Sequence, residues 1–439
     1  MMEHIARYLN KDELSVRQAN LYVNGQKTIT QRTLEYCTLK DVVVKHIIDT
    51  KYALRKAQIE LFNKSNRWKK RGIALMPNMF GISWKGAMYT TQLMVYHGDG
   101  SVAIAHGGID MGQGINTKAI QVCAYELKIP VEKIRVKKSS TVNNANSIKT
   151  GGSKTSELVC KGVIECCKIL TKRMAPVKES MQSPTWEELV AKCYEEEIDM
   201  TVSYMTQPTN ENYQYMCFSA ATVEAEIDVL TGQYQFPQMD MLYDCGDSMN
   251  PELDIGQAEG GFIMGMGYHL TEQIVYDNET GQILNAGTGK YKPPLPKDLP
   301  MKFNFKFQRN APNPLGVLGS KAVAEPALTM STAALLAVKH AIEFARADAG
   351  FNDFFALDAP ATPEKVLQFC QSTIDQYTYG NLSNQSLKDK KNLSHIKSKG
   401  GILKYFFSVR ISSVSIIGDS SATTAPASSQ KVEALFRSH

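Results

Sequence analysis

Val223-Glu-Ala-Glu-Ile-Asp-Val229 alternates apolar and acidic side chains with period two, which predicts a half-exposed strand, and Leu230-Thr-Gly232 supplies the turn that closes it. Arg71-Gly-Ile-Ala-Leu-Met-Pro77 and residues 239–243 read as further strands. Residues 92–96 and 101–105 flank His97-Gly-Asp-Gly100, a hairpin signal. Elsewhere the spacing of apolar positions lengthens to three and four. Residues 1–66 read as mostly helical, with Leu54, Ile59 and Leu61-Phe62 on one face. Further helices are predicted over about 117–127, 154–173, 254–268 and 326–348, the last rich in Ala and Leu. Strand pairs and helices fall in separate blocks with no regular βαβ repeat, so the expected class is α+β. After residue 380 the pattern lapses into Ser, Lys and Asn, a short apolar island at 402–407 and a Ser/Ala/Thr/Pro stretch at 419–429. That composition predicts a disordered or poorly packed tail over 380–439.

With 439 residues, 43% of them hydrophobic, the chain can bury a large core in two or three subdomains. No apolar run is long enough to span a bilayer, and no apolar stretch of a secretion signal follows Met1. The nine cysteines are scattered without a C-x-x-C pair, which argues for buried thiols in a reducing cytoplasm and against a zinc or iron–sulfur site within this chain. The net charge of +5 is misleading, because residues 380–439 hold nine Lys/Arg against three Asp/Glu. The remaining body carries −1, so neither nucleic acid nor a membrane surface is an expected partner.

The candidate chemistry lies in four segments. His106-Gly-Gly-Ile-Asp-Met-Gly-Gln-Gly114 places a glycine-rich turn between a strand and a helix. Its spacing fits neither a dinucleotide fingerprint nor a P-loop, so it is either a tight turn or an anion cradle at a helix N-terminus. Thr150-Gly-Gly-Ser-Lys-Thr-Ser156 repeats that arrangement. Asn250-Pro-Glu-Leu-Asp-Ile-Gly-Gln257 opens a helix on small and polar residues and presents Gln257, able to donate and accept. Ser320-Lys-Ala-Val-Ala-Glu-Pro-Ala327 puts Glu325 before a proline at a helix start, where it serves either as a surface cap or as a general base.

Taken in order, these segments resemble the molybdenum hydroxylases, the family of aldehyde oxidases and xanthine dehydrogenases. Leu127-Lys-Ile-Pro130, Glu226-Ile-Asp-Val-Leu-Thr-Gly232, Tyr291-Lys-Pro-Pro294 and Pro360-Ala-Thr-Pro-Glu364 extend the resemblance over roughly residues 3–375. Gly114-Ile-Asn-Thr-Lys118 and Gln121-Val-Cys-Ala-Tyr125 are similar to insect-type aldehyde oxidases in particular. The resemblance implies the C-terminal half of the molybdenum cofactor-binding region, built as two mixed α/β subdomains. Residues 1–66 would be the helical remainder of the first subdomain, and 67–379 the second region with the active site.

It further implies a Mo-molybdopterin cofactor held by Met111, Gly112 and Gln113, by Gly152, Ser153, Lys154 and Thr155, and by Gln257 and Val323, with the Gly152 backbone nearest the metal. Glu325 would be the catalytic base that takes the proton of a metal-bound hydroxyl, water supplying the oxygen delivered to an aldehyde or N-heterocycle. Trp84 falls where purine-oxidising members carry a stacking Phe, and is either a wall of the substrate pocket or a core aromatic. The implied protein is a cytoplasmic homodimer. FAD and two 2Fe-2S clusters belong to full-length members and would not be bound by this chain. Two substitutions depart from the family: Ala324 replaces the usual Gly before the base, a strain if that position needs positive φ, and Ala327 replaces a frequent Pro. Upstream iron–sulfur, flavin and Arg-Gly-Phe-Gly-Gly segments have no counterpart, which makes the chain look like a C-terminal fragment. A non-catalytic remnant, purine hydroxylation and a simple phosphate-binding glycine loop are the rival readings.

Overall fold

The computed structural model describes residues 1–206 and 214–372, and the tail predicted over 380–439 lies outside them. Four helices come first: α1 (Met2–Tyr8), α2 (Glu13–Ala19), α3 (Leu39–Asp49) and α4 (Tyr52–Ser65). The stretch between α2 and α3, expected to be helical, is a looped excursion around an isolated Lys27↔Thr33 bridge. Gly25 turns the chain there, and β-branched Thr28 and Thr30 bond each other through their hydroxyls rather than packing on a helix face.

The first sheet has order β1-β6-β7-β8, with β1 (Lys69–Ser83), β6 (Gln214–Asp228), β7 (Tyr234–Asp244) and β8 (Phe303–Phe307). β1 and β6 pair antiparallel along their full length, from Lys69↔Asp228 to Ser83↔Gln214. The period-two pattern divides their side chains between two cores. Ile73, Leu75, Phe218, Ala220 and Leu242 pack against α2, α3 and α4, whereas Ala74, Ala221, Val223, Ala225 and Ile227 pack against three C-terminal helices. Those helices are α8 (Pro251–Leu270), α9 (Ala324–Met330) and α10 (Thr332–Asp348); the short α11 (Pro363–Cys370) completes that side. The single helix expected over 326–348 is thus broken at Ser331, whose hydroxyl donates to the Leu328 carbonyl.

The second sheet has order β4-β3-β2-β5, from β2 (Tyr89–Val95), β3 (Val102–His106), β4 (Ile134–Val136) and β5 (Thr201–Thr206). β2 and β3 form the expected antiparallel hairpin. α5 (Ile115–Leu127), the long α6 (Thr155–Ser180) and α7 (Trp186–Glu195) bury a third core on it. All nine cysteines are free thiols, eight of them buried. Among the described residues no helix is long and apolar enough to cross a membrane.

Candidate functional site

The four glycine-rich and polar segments meet at one cavity of about 220 Å³. The loop after β3 contributes Met111 and Gln113, the turn before α6 contributes Gly151, Ser153 and Thr155, α8 contributes Gln257, and the segment entering α9 contributes Val323 and Glu325. Three helices of 13, 26 and 20 residues begin there, α5, α6 and α8. Residues of their opening turns line the cavity, and the positive end of a helix dipole suits an anionic or acceptor-rich ligand.

Hydrogen bonds tie the segments together. Gln257 Nε2 donates to the Gly112 carbonyl at 3.2 Å, joining α8 to the first glycine loop. Within that loop Gln113 accepts from Met111 N at 2.6 Å and donates to the Ile109 carbonyl at 2.7 Å. Glu325 N donates to Ser153 Oγ at 3.4 Å, joining the second glycine turn to α9. Gly152 has φ 74° and Ser153 φ 50°, so two successive left-handed residues turn the chain into α6. Gly152 is consequently exposed and, like Gly112 and Lys154, does not itself line the cavity; its neighbours Gly151 and Ser153 do.

Glu325 is half-buried in the first turn of α9, and its carboxylate has no hydrogen-bond or ion-pair partner among the described residues. Ala324 is not strained: the left-handed residues of this stretch are Leu318 and Gly319, at φ 51° and 77°, and Ala324 is already helical. Trp84 is a core aromatic, 2% exposed, with its indole Nε1 donating to Glu157 at 2.9 Å. It does not line the cavity, although its bond partner Glu157 does.

Sequence reasoning assigned no role to four ionisable residues of the wall. Lys118 pairs with Asp254 at 2.8 Å, joining α5 to α8, and Lys321 pairs with Asp244 at 2.7 Å. Glu157 is buried beside them, and burial pushes its carboxyl up to about 7 although Tyr215, Trp84 and Lys118 pull it down. None carries a distinctive sequence signal, because a paired buried charge reads like a solvated one until its partner is known.

A molybdenum–pterin group fits the donor set. Ser156 Oγ, in the wall, is sealed from solvent and has no partner. Gln113, Gln257, Thr150, Ser153 and Ser320 add neutral donors and acceptors, and both lysines are already neutralised. Among the described residues no group of three His, Cys, Asp or Glu could hold a metal ion, so a metal here would arrive with ligands of its own.

Comparison with known proteins agrees with this arrangement. The family described as "Molybdopterin cofactor-binding domain" matches residues 47–300. A xanthine dehydrogenase of Drosophila subobscura is 36% identical over 392 residues, covering 86% of this chain and 29% of that protein. A xanthine dehydrogenase/oxidase of Gallus gallus is 36% identical over 384 residues, covering 85% and 28%. The chain therefore spans under a third of the length of these relatives. Among solved structures, the CO dehydrogenase of Oligotropha carboxidovorans superposes with a TM-score of 0.71 at 20% identity, over 84% of this chain and 50% of that one. The aldehyde oxidoreductase of Desulfovibrio gigas gives 0.69 at 23%, over 84% and 40%. At such identities the two structures establish the fold.

Proposed function

Since this chain belongs to the molybdopterin cofactor-binding family of molybdenum hydroxylases, we propose that it forms the cofactor-holding side of an enzyme that converts aldehydes to carboxylic acids with water as the oxygen source. The observation that carries this reading is the convergence of Glu325, Gln257, Gln113 and Ser153, from four remote segments, on one cavity. When bound, the cofactor supplies oxygen-atom transfer and takes up the two electrons released as R–CHO becomes R–COOH.

The chain's own residues supply position and a proton acceptor. Met111, Gln113, Ser153, Thr155 and Gln257 would hold the group, with the backbone at Gly112, Gly152 and Lys154 shaping the turns. Gln257 gives one N–H to the Gly112 carbonyl, which leaves its second N–H and its amide oxygen available to a cofactor. Val323, Ala322 and Met249 add apolar surface to the wall. Glu325, whose carboxylate has no partner among the described residues, would take up the proton released as the water-derived oxygen adds to the aldehyde carbon.

The burial of Trp84 favours an aldehyde, since its ring offers no face on which a planar purine could stack. Purine hydroxylation is the second reading, favoured by the xanthine dehydrogenase names of the relatives. By the same resemblance the protein is a cytoplasmic homodimer acting on a small molecule, with electrons leaving through FAD and 2Fe-2S groups outside this chain. The test is molybdenum content of the purified chain together with dye reduction driven by an aldehyde or by xanthine. Stoichiometric metal with aldehyde turnover supports the proposal, and metal with xanthine turnover alone supports the second reading. Absence of metal identifies a non-catalytic remnant.

A further inference from the structure

A buried acid that the proposed chemistry does not use stands in the wall of the same cavity. Glu157, in the first turn of α6, is 4% exposed. Both its oxygens are held by residues remote in sequence: Tyr215 Oη donates to Oε1 at 2.8 Å, and Trp84 Nε1 donates to Oε2 at 2.9 Å. Tyr215 Oη also accepts from Ala322 N at 2.9 Å, so its hydroxyl is committed in both directions. The Ala322 carbonyl in turn accepts from Tyr243 Oη at 2.8 Å. A chain of hydrogen bonds therefore runs from the helix opened by the second glycine turn, across β6, to the backbone three residues before Glu325.

We propose that Glu157 is a positioning residue: through Tyr215 it pins the Ala322 backbone to α6 and thereby sets where the Glu325 carboxylate stands. Its bearing on catalysis rests on the role proposed for Glu325, but the clamp itself does not. The clamp is also sensitive to pH. As a carboxylate Glu157 accepts both hydrogen bonds, whereas protonation removes the charge that strengthens them and adds a donor beside the Trp84 N–H, which cannot accept, so that Tyr215 must reverse its bond. With burial lifting the carboxyl to about 7, the grip on Tyr215 weakens as pH falls through that value.

The other charged and titratable groups around it do not compete for this transition. Cys160 on α6 is pushed up to about 12 by burial, and Tyr215 and Cys217 on β6 are raised well above their ordinary values for the same reason. Lys118 on α5 and Asp254 on α8 are paired with each other, as are Lys321 and Asp244. Glu325 shares the cavity but makes no bond to Glu157.

Two readouts on the full chain test the clamp without any cofactor. The first is Trp84 emission titrated from about pH 5 to 9, with the contribution of Trp68 and Trp186 taken from Trp84→Phe. The expected result is a step centred near pH 7 that Glu157→Gln abolishes. The second is hydrogen exchange of residues 320–325. Glu157→Gln and Tyr215→Phe should each speed it about tenfold, the loss of one charge-assisted hydrogen bond, with α5 and α8 unchanged. In the parent, protection should fall below pH 7 beyond the intrinsic pH dependence of exchange. An emission step that persists in Glu157→Gln, or exchange unchanged in both variants, would overturn the proposal. Tyr215→Phe loses only a hydroxyl and carries the exchange arm should Glu157→Gln fail to fold. Neither readout involves molybdenum, so failure of the cofactor reading would leave the outcome interpretable.

Discussion

Replacing Lys321 by Met removes one partner of a buried ion pair that backs the cavity. Lys321 and Asp244 are 2% and 0% exposed and 2.7 Å apart. Asp244, at the end of β7, also accepts from Thr38 Oγ1 at 2.6 Å and from Gly246 N at 3.0 Å. Breaking such a pair costs about 3–5 kcal/mol, because the surviving charge stays desolvated and uncompensated. The two remaining donors hold part of the carboxylate's charge, so about 3 kcal/mol is expected here. The double variant Lys321→Met with Asp244→Asn has no orphaned charge and should regain about 2 kcal/mol of that loss. Urea unfolding of parent, single and double variants gives both numbers from the shift in midpoint at constant slope. A single variant that costs less than about 1 kcal/mol would refute the reasoning, as would a double variant no more stable than the single one.

Gly261→Ala should destabilise the protein by about 1–3 kcal/mol in thermal melts, since the added Cβ would overlap the Ala324 carbonyl oxygen where α8 packs on α9. Asn250→Ala should cost about 1 kcal/mol in the same melts, because Asn250 Oδ1 caps α8 by accepting from Leu253 N at 3.1 Å. The docking of α1 should weaken as pH rises. Burial pulls the His340 imidazolium down, but its bonds and charge contact with Glu3 prevail and lift it to about 8. The folded value lies above the ordinary one near 6.5, so this stability is complete below about pH 6.5 and lost through pH 8. Beyond the intrinsic pH dependence of exchange, α1 should quicken by a factor of about ten over that window, and this excess should vanish in His340→Gln.

Strands and helices were legible where one face of an element is polar. The β2–β3 hairpin follows from His97-Gly-Asp-Gly100 between alternating runs, and the C-terminal half of β6 from Val223 onward alternates cleanly. Its first half does not, because Cys217, Phe218, Ser219, Ala220 and Ala221 are buried on both faces of the sheet and read as a continuous run. The residues of the cavity were legible through the family resemblance, and the structure brings together Met111, Gln113, Ser153, Thr155, Gln257, Val323 and Glu325. What escaped were the pairings behind them. Glu157 finds Tyr215 and Trp84 at separations of 58 and 73 residues, and Asp244 finds Thr38 at 206. No local pattern encodes such partners; they exist only once two sheets and their helices have packed.

The most direct test of the account compares Glu325→Gln with the parent at matched molybdenum content, reading the rate of aldehyde-dependent dye reduction. The variant should retain its metal, since the role proposed for Glu325 is that of a base, and lose about a hundredfold to ten-thousandfold in rate. A variant that turns over aldehyde as fast as the parent would contradict it.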